Sequence, residues 1–189
     1  MDLYLIRHTT PAVLAGTCYG LTDLDVSPSF PSEAAALNAK IADIQSPIVF
    51  SSPLQRCLKL AAIITSPPKI QVDDRLKELN FGDWEMTPWS TIPLGAIDIW
   101  SESHVLQAPP NGESFQALQD RVMSCISEIT ADPTSGPAIV VAHAGVIRAI
   151  LASVMGLPLY LAFKLQIEYA SVSKIIVGSE ITKIGFINR

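Results

Sequence analysis

Four basic side chains in this sequence have the chemistry needed to bind and attack a phosphoryl group. Arg7 and His8 follow a short apolar segment near the N-terminus, Arg56 lies a few residues beyond a second such segment, and His143 directly follows a third. The planar guanidinium of arginine matches two phosphoryl oxygens, and an unprotonated imidazole is a competent nucleophile toward phosphorus. These residue types predict a site in which arginines bind a phosphate and a histidine attacks it.

Cleavage of a phosphate ester in this way also needs a proton donor. The departing oxygen must be protonated, and the water that attacks later needs a base, so one carboxyl group can serve both steps in turn. Glu78, in the charged and aromatic segment 75–85, is the candidate. Asp83 and Glu85 lie in the same segment and are the alternative acids.

The elements that must position these residues alternate along the chain. Short apolar segments predict strands, helical spacing after Ser32 and after Ser52 predicts helices capped by those serines, and the C-terminal segments predict a hairpin. The predicted strands are Leu3–Ile6, Pro47–Phe50, Ile70–Val72 and Ala138–Ala142, the helices are Glu33–Ile44, Pro53–Thr65 (ended by Ser66-Pro67-Pro68), Glu113–Thr130 and Val146–Met155, and the hairpin joins Ser171–Val177 to Ile181–Ile187. Alternation of strands and helices predicts an α/β fold with a mostly parallel sheet.

The ends of the predicted strands explain how the basic residues meet. In an open parallel sheet, ligands bind beyond the carboxyl ends of the strands. Arg7, His8, Arg56 and His143 all follow such ends, so we expect them at one edge of the sheet. Helices that begin after Ser52 and after His143 would also point their positive N-terminal ends at this edge.

The composition favours small molecules as the partners of this protein. The 189 residues predict a single domain over residues 1–189, with an inserted segment at about 87–107 near the site. A net charge of −5 argues against bulk attraction to nucleic acid or anionic membranes. Three widely spaced cysteines and the absence of a signal-like N-terminus predict a cytoplasmic protein. The apolar stretch Pro137–Leu165 contains His143 and Arg148, which would be costly in a lipid core, so it is predicted to be a buried core segment.

Six sequence pieces resemble the histidine phosphatase superfamily, the phosphoglycerate mutase-like branch. They are LIRHT, YGLTDLDVSP, SSPLQRC, LKELNFGDWE, PPNGESF and VVAHAGVIRAI, in the family's order. The resemblance implies a three-layer α/β/α fold and no cofactor or metal. It also implies that His8 is the phosphorylated nucleophile, Glu78 the proton donor and acceptor, and Arg7, Arg56 and His143 the phosphate pocket.

The short form of the chain is most similar to the α-ribazole phosphatases, which act in cobalamin biosynthesis. This resemblance implies α-ribazole 5′-phosphate as substrate, with Thr22 and Trp89 as possible substrate contacts; the tryptophans are equally compatible with packing inside the inserted segment. The chain departs from the family pattern at Thr9, Leu14 and Met86, which leaves the charged set intact but affects loop shape.

Three other functions are compatible with parts of the pattern. A mutase-type phosphotransferase would need further cations to hold phosphoglycerate, and Lys77 is the one extra cation beside Glu78 in the sequence. A non-catalytic phospholigand-binding domain would usually have lost the nucleophile or the acid, and both are present. A zinc site made by His8, His143 and Glu78 would be opposed by the flanking arginines. The sequence leaves the oligomeric state and the pH optimum open.

Overall fold

Six strands form one sheet in the computed structural model, which describes residues 1–65 and 70–189. The strands are β1 (Asp2–Arg7), β2 (Ile48–Ser51), β3 (Ile70–Val72), β4 (Ala138–Ala142), β5 (Val172–Val177) and β6 (Thr182–Phe186). Their order across the sheet is β3-β2-β4-β1-β5-β6. The pairs among β1 to β4 are parallel, whereas β5 lies antiparallel to both β1 and β6. The predicted mostly parallel sheet and C-terminal hairpin are confirmed.

Residues 1–65 and 70–189 contain five α-helices. They are α1 (Phe30–Ile41), α2 (Gln55–Ile64), α3 (Leu94–Ser103), α4 (Phe115–Ile129) and α5 (Ala144–Met155). Four of them, α1, α2, α4 and α5, cover the sheet. Buried residues of α1 and α2 form one hydrophobic cluster, and those of α4 and α5 form another. Strand β4 separates the two clusters, because Val140 faces one and Ile139 and Val141 face the other. This arrangement is the expected three-layer α/β/α fold.

All four predicted helices begin away from their predicted first residues, and α4 starts at Phe115 and not at Glu113. Helix α1 starts at Phe30 and not at Glu33, because Pro31 fits the first turn of a helix and extends it toward the N-terminus. Helix α2 starts at Gln55 and not at Pro53. The predicted end of that helix at Ser66-Pro67-Pro68 lies outside the described residues.

The apolar stretch Pro137–Leu165 is core, as predicted. All five residues of β4 are buried, and α5 follows it directly after His143, two residues earlier than the predicted start at Val146. Gly156 ends α5 in the left-handed conformation (φ 61°), which costs glycine little. Within the described part of the chain, none of the helices combines the length and the hydropathy needed to cross a bilayer.

Candidate active site

His8 and His143 stand side by side at the carboxyl edge of the sheet. Each directly follows one of two adjacent parallel strands, in which Arg7 pairs with Ala142. The His8 backbone N–H donates to the Ala142 carbonyl at 3.0 Å, and the two imidazole ring centroids are 5.1 Å apart. His8 is 2% exposed and His143 fully buried. The predicted convergence of the two histidines is confirmed.

The hydrogen bond made by His8 fixes which of its ring nitrogens carries the proton. The Nδ1 atom lies 2.6 Å from the Thr9 carbonyl oxygen, which can only accept a hydrogen bond. Nδ1 therefore carries the proton, and in the neutral ring the lone pair is on Nε2. An imidazole with its tautomer fixed in this way presents Nε2 as a nucleophile.

The surroundings keep both imidazoles neutral. Burial, together with the positive charges of Arg56 and Arg7, holds the pKa of His8 well below its ordinary value of 6.5, although the bond to Thr9 opposes this shift. The pKa of His143 is lowered by burial and then by Arg56 and His8. His143 Nε2 lies 2.8 Å from the Ser52 hydroxyl, which ties it to the end of β2.

The guanidinium of Arg7 is held by segment 167–171, which precedes β5. Its Nη1 donates to the Ile167 carbonyl at 2.6 Å, and its backbone N–H donates to the Ser171 carbonyl at 3.1 Å. The guanidinium carbon lies 3.7 Å from the centroid of the Tyr169 ring, close enough for a cation–π contact. Ala170 has a φ of 51°, a left-handed conformation that is costly for a non-glycine residue and that turns the chain between Tyr169 and Ser171.

Arg56 is fully buried in the first turn of α2. Its Nη1 donates to the Thr22 carbonyl at 2.7 Å and its Nη2 to the Gly20 carbonyl at 2.6 Å. In the described part of the chain, no carboxylate lies within 4.0 Å of the guanidinium nitrogens of Arg7 or Arg56. The positive charge of both side chains therefore remains available to an anion.

Each of these two arginines also has a side-chain N–H group without an acceptor among the described residues. The Nε atoms of Arg7 and Arg56 are buried and have no hydrogen-bond partner among the described residues. The buried hydroxyl of Thr9, next to His8, likewise has none. A buried donor left without an acceptor is costly, so the site is arranged to receive an acceptor such as a phosphoryl oxygen.

A pair of tyrosines covers the site, and sequence reasoning did not find it. The hydroxyls of Tyr19 and Tyr169 are 2.6 Å apart, while the Tyr169 ring centroid lies 5.6 Å from that of His8 and the Tyr19 ring 5.6 Å from the guanidinium carbon of Arg56. Burial and the bond to Tyr169 raise the pKa of Tyr19 above its usual range. Tyr169 belongs to no motif and lies 150 residues from its partner, so no local signal indicates the pair.

Glu78 lies at the N-terminus of α5, beside His143. Its Oε2 accepts the backbone N–H of Gly145 at 3.0 Å and its Oε1 that of Leu79 at 2.9 Å. A Cβ atom on Gly145 would stand 2.3 Å from Glu78 Oε1, so glycine is required at this position for the carboxylate to approach the helix. The structure thus brings Glu78 to the same helix end as His143.

Arg121, on α4, binds the backbone of the loop that carries Glu78. This side chain donates to the carbonyls of Arg75 and Lys77 at 2.7 Å each and to that of Glu78 at 3.1 Å. It also forms a two-pronged ion pair with Glu113 at 2.7 and 2.8 Å. The backbone around Glu78 is therefore rigidly placed against α4.

The two alternative acids, Glu85 and Asp83, form hydrogen bonds with other parts of the chain. Glu85 accepts hydrogen bonds from the backbone N–H groups of Gly20, Leu21, Thr22 and Phe81 at 2.9–3.1 Å. The carboxylate of Asp83 is exposed and accepts from the side chain of Asn111 at 3.0 and 3.1 Å. Of these three acids, Glu78 is therefore the one whose carboxylate lies at the N-terminus of α5, directly after His143.

The two predicted substrate contacts take part in internal contacts. The Thr22 hydroxyl donates to Glu85. Trp89 packs edge-on against Phe81, with ring centroids 5.5 Å apart, and near Trp84 at 6.3 Å. In residues 1–65 and 70–189, no group of three His, Cys, Asp or Glu side chains is arranged to hold a metal ion.

Comparison with known sequences finds relatives over the whole chain. The family model described as the histidine phosphatase superfamily (branch 1) matches residues 3–188. The adenosylcobalamin/alpha-ribazole phosphatase of Escherichia coli is 25% identical over 100% of this chain and 96% of its own length. The metal-independent phosphoserine phosphatase of Arabidopsis thaliana is 31% identical over 79% of this chain and 66% of its own length.

Comparison with solved structures finds the same fold. The crystal structure of the alpha-ribazole phosphatase from Shigella flexneri superposes with a TM-score of 0.90 at 24% identity, over 100% of this chain and 96% of that chain. At this level of identity, the superposition establishes the architecture of the chain.

Proposed function

The chain belongs to the histidine phosphatase superfamily and is a phosphoric monoester hydrolase, and from this premise we propose that it acts through a phosphohistidine formed on His8. The observation that carries the proposal is the state of His8. It is a buried, neutral imidazole with its proton on Nδ1 and its lone pair on Nε2, close to the Nε donors of Arg7 and Arg56, which have no hydrogen-bond partner among the described residues.

The proposed reaction has two steps. In the first, His8 Nε2 attacks phosphorus, the N–P bond forms, the ester P–O bond breaks, and the leaving oxygen takes a proton from Glu78. In the second, Glu78 takes a proton from water, the water oxygen bonds to phosphorus, and the N–P bond breaks to return the lone pair to Nε2. Arg7, Arg56 and His143 bind the phosphoryl oxygens in both steps, so no cofactor or metal is required.

For the substrate we propose α-ribazole 5′-phosphate, which would place the enzyme in cobalamin biosynthesis. Support comes from the full-length similarity to the E. coli alpha-ribazole phosphatase. Phosphoserine is the competing substrate, because the A. thaliana phosphoserine phosphatase is 31% identical over 79% of this chain. We also propose a cytoplasmic location, which three buried free cysteines support.

Trapping of the phosphoenzyme tests the proposed mechanism. After rapid mixing with an aryl phosphate and an alkaline quench, intact-mass analysis should show one added phosphoryl group, which acid removes and which maps to His8. His8→Ala should carry no such group and should lose at least ~10³-fold in turnover. An adduct that forms equally in His8→Ala would contradict the mechanism.

A substrate panel tests the specificity. We expect kcat/KM for α-ribazole 5′-phosphate to exceed that for phosphoserine and for phosphoglycerate. A preference for phosphoserine would replace the proposed substrate and keep the mechanism. Isomerisation of phosphoglycerate would assign the chain to the mutases instead.

A further inference from the structure

Residues 20–22 lie between the half-buried carboxylate of Glu85 and the buried guanidinium of Arg56. On one side, Glu85 accepts the backbone N–H groups of Gly20 at 3.0 Å, Leu21 at 2.9 Å and Thr22 at 3.1 Å. The Thr22 hydroxyl adds a fourth bond from this loop. One side chain thus takes up all three consecutive backbone donors of the loop.

The opposite side of the same loop faces the guanidinium. The carbonyls of Gly20 and Thr22 accept from Arg56 Nη2 at 2.6 Å and from Nη1 at 2.7 Å. The Gly20 carbonyl and the Leu21 N–H belong to one planar trans peptide unit and point in opposite directions. Because Glu85 draws the Leu21 N–H toward itself, it turns the Gly20 carbonyl toward Arg56.

The loop also fits closely against the segment that carries Glu78. A Cβ atom on Gly20 would stand 1.8 Å from the Leu79 carbonyl oxygen, so only glycine allows this approach. Glu85 is additionally bound by the Phe81 N–H at 3.0 Å, which connects loop 20–22 to the start of the 3₁₀ turn Gly82–Trp84. The position of Arg56 relative to the Glu78 segment is therefore set through Glu85.

We propose that Glu85 is a positioning residue for phosphoryl binding, which acts through residues 20–22 to hold the Arg56 guanidinium in its binding orientation. The inference rests on the proposed role of Arg56 in the phosphate pocket. It also gives a function to the hydrogen bonds that join the sequence pieces YGLTD and FGDWE. Burial opposes the ionisation of Glu85, but the bonds from Thr22, Gly20, Phe81 and Leu21 outweigh it and hold the pKa of this carboxyl below its ordinary value, consistent with a permanent acceptor.

Glutamine cannot replace Glu85 in this role. Its amide has the size of the carboxylate but offers one acceptor oxygen, and its NH₂ group would face backbone N–H donors. Glu85→Gln should therefore release loop 20–22 and weaken orthovanadate inhibition of aryl phosphate hydrolysis by roughly tenfold, the loss expected for one hydrogen bond to a charged group. Asp83→Asn is the matched control, because it makes the same chemical change two residues away on an exposed side chain.

A double-mutant cycle separates positioning from general stability. If Glu85 acts through Arg56, Glu85→Gln should cost little further vanadate affinity in an Arg56→Lys background, since lysine cannot make the paired bonds to Gly20 and Thr22. Thr22→Val, which removes only the hydroxyl bond, is the milder variant should Glu85→Gln fail to fold, and it should weaken vanadate about threefold.

The outcomes distinguish this inference from the proposed function. A lowered melting temperature with unchanged vanadate inhibition, in Glu85→Gln or in Thr22→Val, would overturn the positioning role. Equal losses in the wild-type and Arg56→Lys backgrounds would do the same. Wild-type chain that neither hydrolyses aryl phosphate nor binds vanadate would instead refute the proposed function itself.

Discussion

At the scale of single residues, different contacts determine the protonation of His8 and the position of Glu78. The bond from His8 Nδ1 to a backbone carbonyl leaves the lone pair of the ring on Nε2, and burial and two arginines keep the ring neutral. Glu78 owes its place to the N–H of Gly145 and the absence of a side chain there. The proposed roles of His8 and Glu78 therefore depend on different contacts, and each role can be tested separately.

Glu78→Gln should impair hydrolysis of alkyl phosphates far more than that of nitrophenyl phosphate. An alkoxide cannot leave without a proton, whereas nitrophenolate can, and general acid catalysis typically contributes ~10²–10⁴-fold. Steady-state kcat/KM on the two substrates measures the difference. Intact alkyl phosphate turnover in Glu78→Gln, together with its loss in Asp83→Asn, would move the acid to the neighbouring 3₁₀ turn.

Stability should fall as the pH drops below about 6.5. The folded pKa values of His8 and His143 lie well below 6.5, so in this range the unfolded chain binds more protons than the folded one. Each such histidine lowers the free energy of unfolding by up to about 1.4 kcal/mol per pH unit. Urea unfolding at pH 7.5 and 5.5 measures the slope, which should be smaller in His8→Asn; a pH-independent midpoint would argue against neutral, buried histidines.

At the scale of elements, the predicted inserted segment 87–107 packs beside the site through backbone and aromatic contacts. The Cys18 N–H donates to the Thr87 carbonyl at 2.8 Å, and the Trp89 N–H donates to the Gly16 carbonyl at 2.9 Å. These bonds join the segment, which contains α3, to the loop that continues into residues 20–22. A change in the segment can therefore reach the phosphate pocket through the backbone.

Trp89→Ala should change the preference among phosphomonoesters more than the hydrolysis of aryl phosphate. The segment follows the acid loop directly, and loops on a rigid scaffold commonly set specificity. The ratio of kcat/KM for α-ribazole 5′-phosphate to that for nitrophenyl phosphate is the readout. Leu94→Ala is the matched control, because that side chain in α3 is 77% exposed. Equal losses on every substrate in Trp89→Ala would assign the indole to packing alone.

At the scale of the molecule, an acidic protein concentrates positive charge at one sheet edge. The net charge is −5, yet Arg7 and Arg56 stand there without carboxylate partners among the described residues. The first turn of α5, which follows His143, adds the partial positive charge of its free N–H groups. The fold therefore supplies the charge that a bound cation would otherwise bring.

Turnover of aryl phosphate should accordingly persist in excess EDTA. Initial rates before and after prolonged chelation should agree, with a magnesium-dependent phosphatase treated in parallel to verify that chelation is complete. Abolition by EDTA followed by rescue with zinc or magnesium would contradict a mechanism based on arginines.

Local sequence is enough to predict most of the strands and helices and the group of basic residues at the site. Strand β4 and most of β1, predicted as Leu3–Ile6, follow from local apolar runs, and parallel strands bring their carboxyl ends to one edge of the sheet whatever loops connect them. That is why His8, Arg56 and His143 could be grouped before any coordinates were known. These features depend on neighbouring residues and on one general property of sheets.

Features that depend on contacts between residues far apart in the chain become visible in the folded protein alone. Helix α2 begins at Gln55 because the carboxylate of Asp23, 32 residues away, accepts the Gln55 N–H at 2.7 Å, whereas Ser52 bonds His143. The roles of Glu78 and Glu85 could not be separated by spacing, since both lie in one charged segment. Their partners, Gly145 and residues 20–22, are more than 60 positions away, and such pairings are created by folding and leave no pattern in the local sequence.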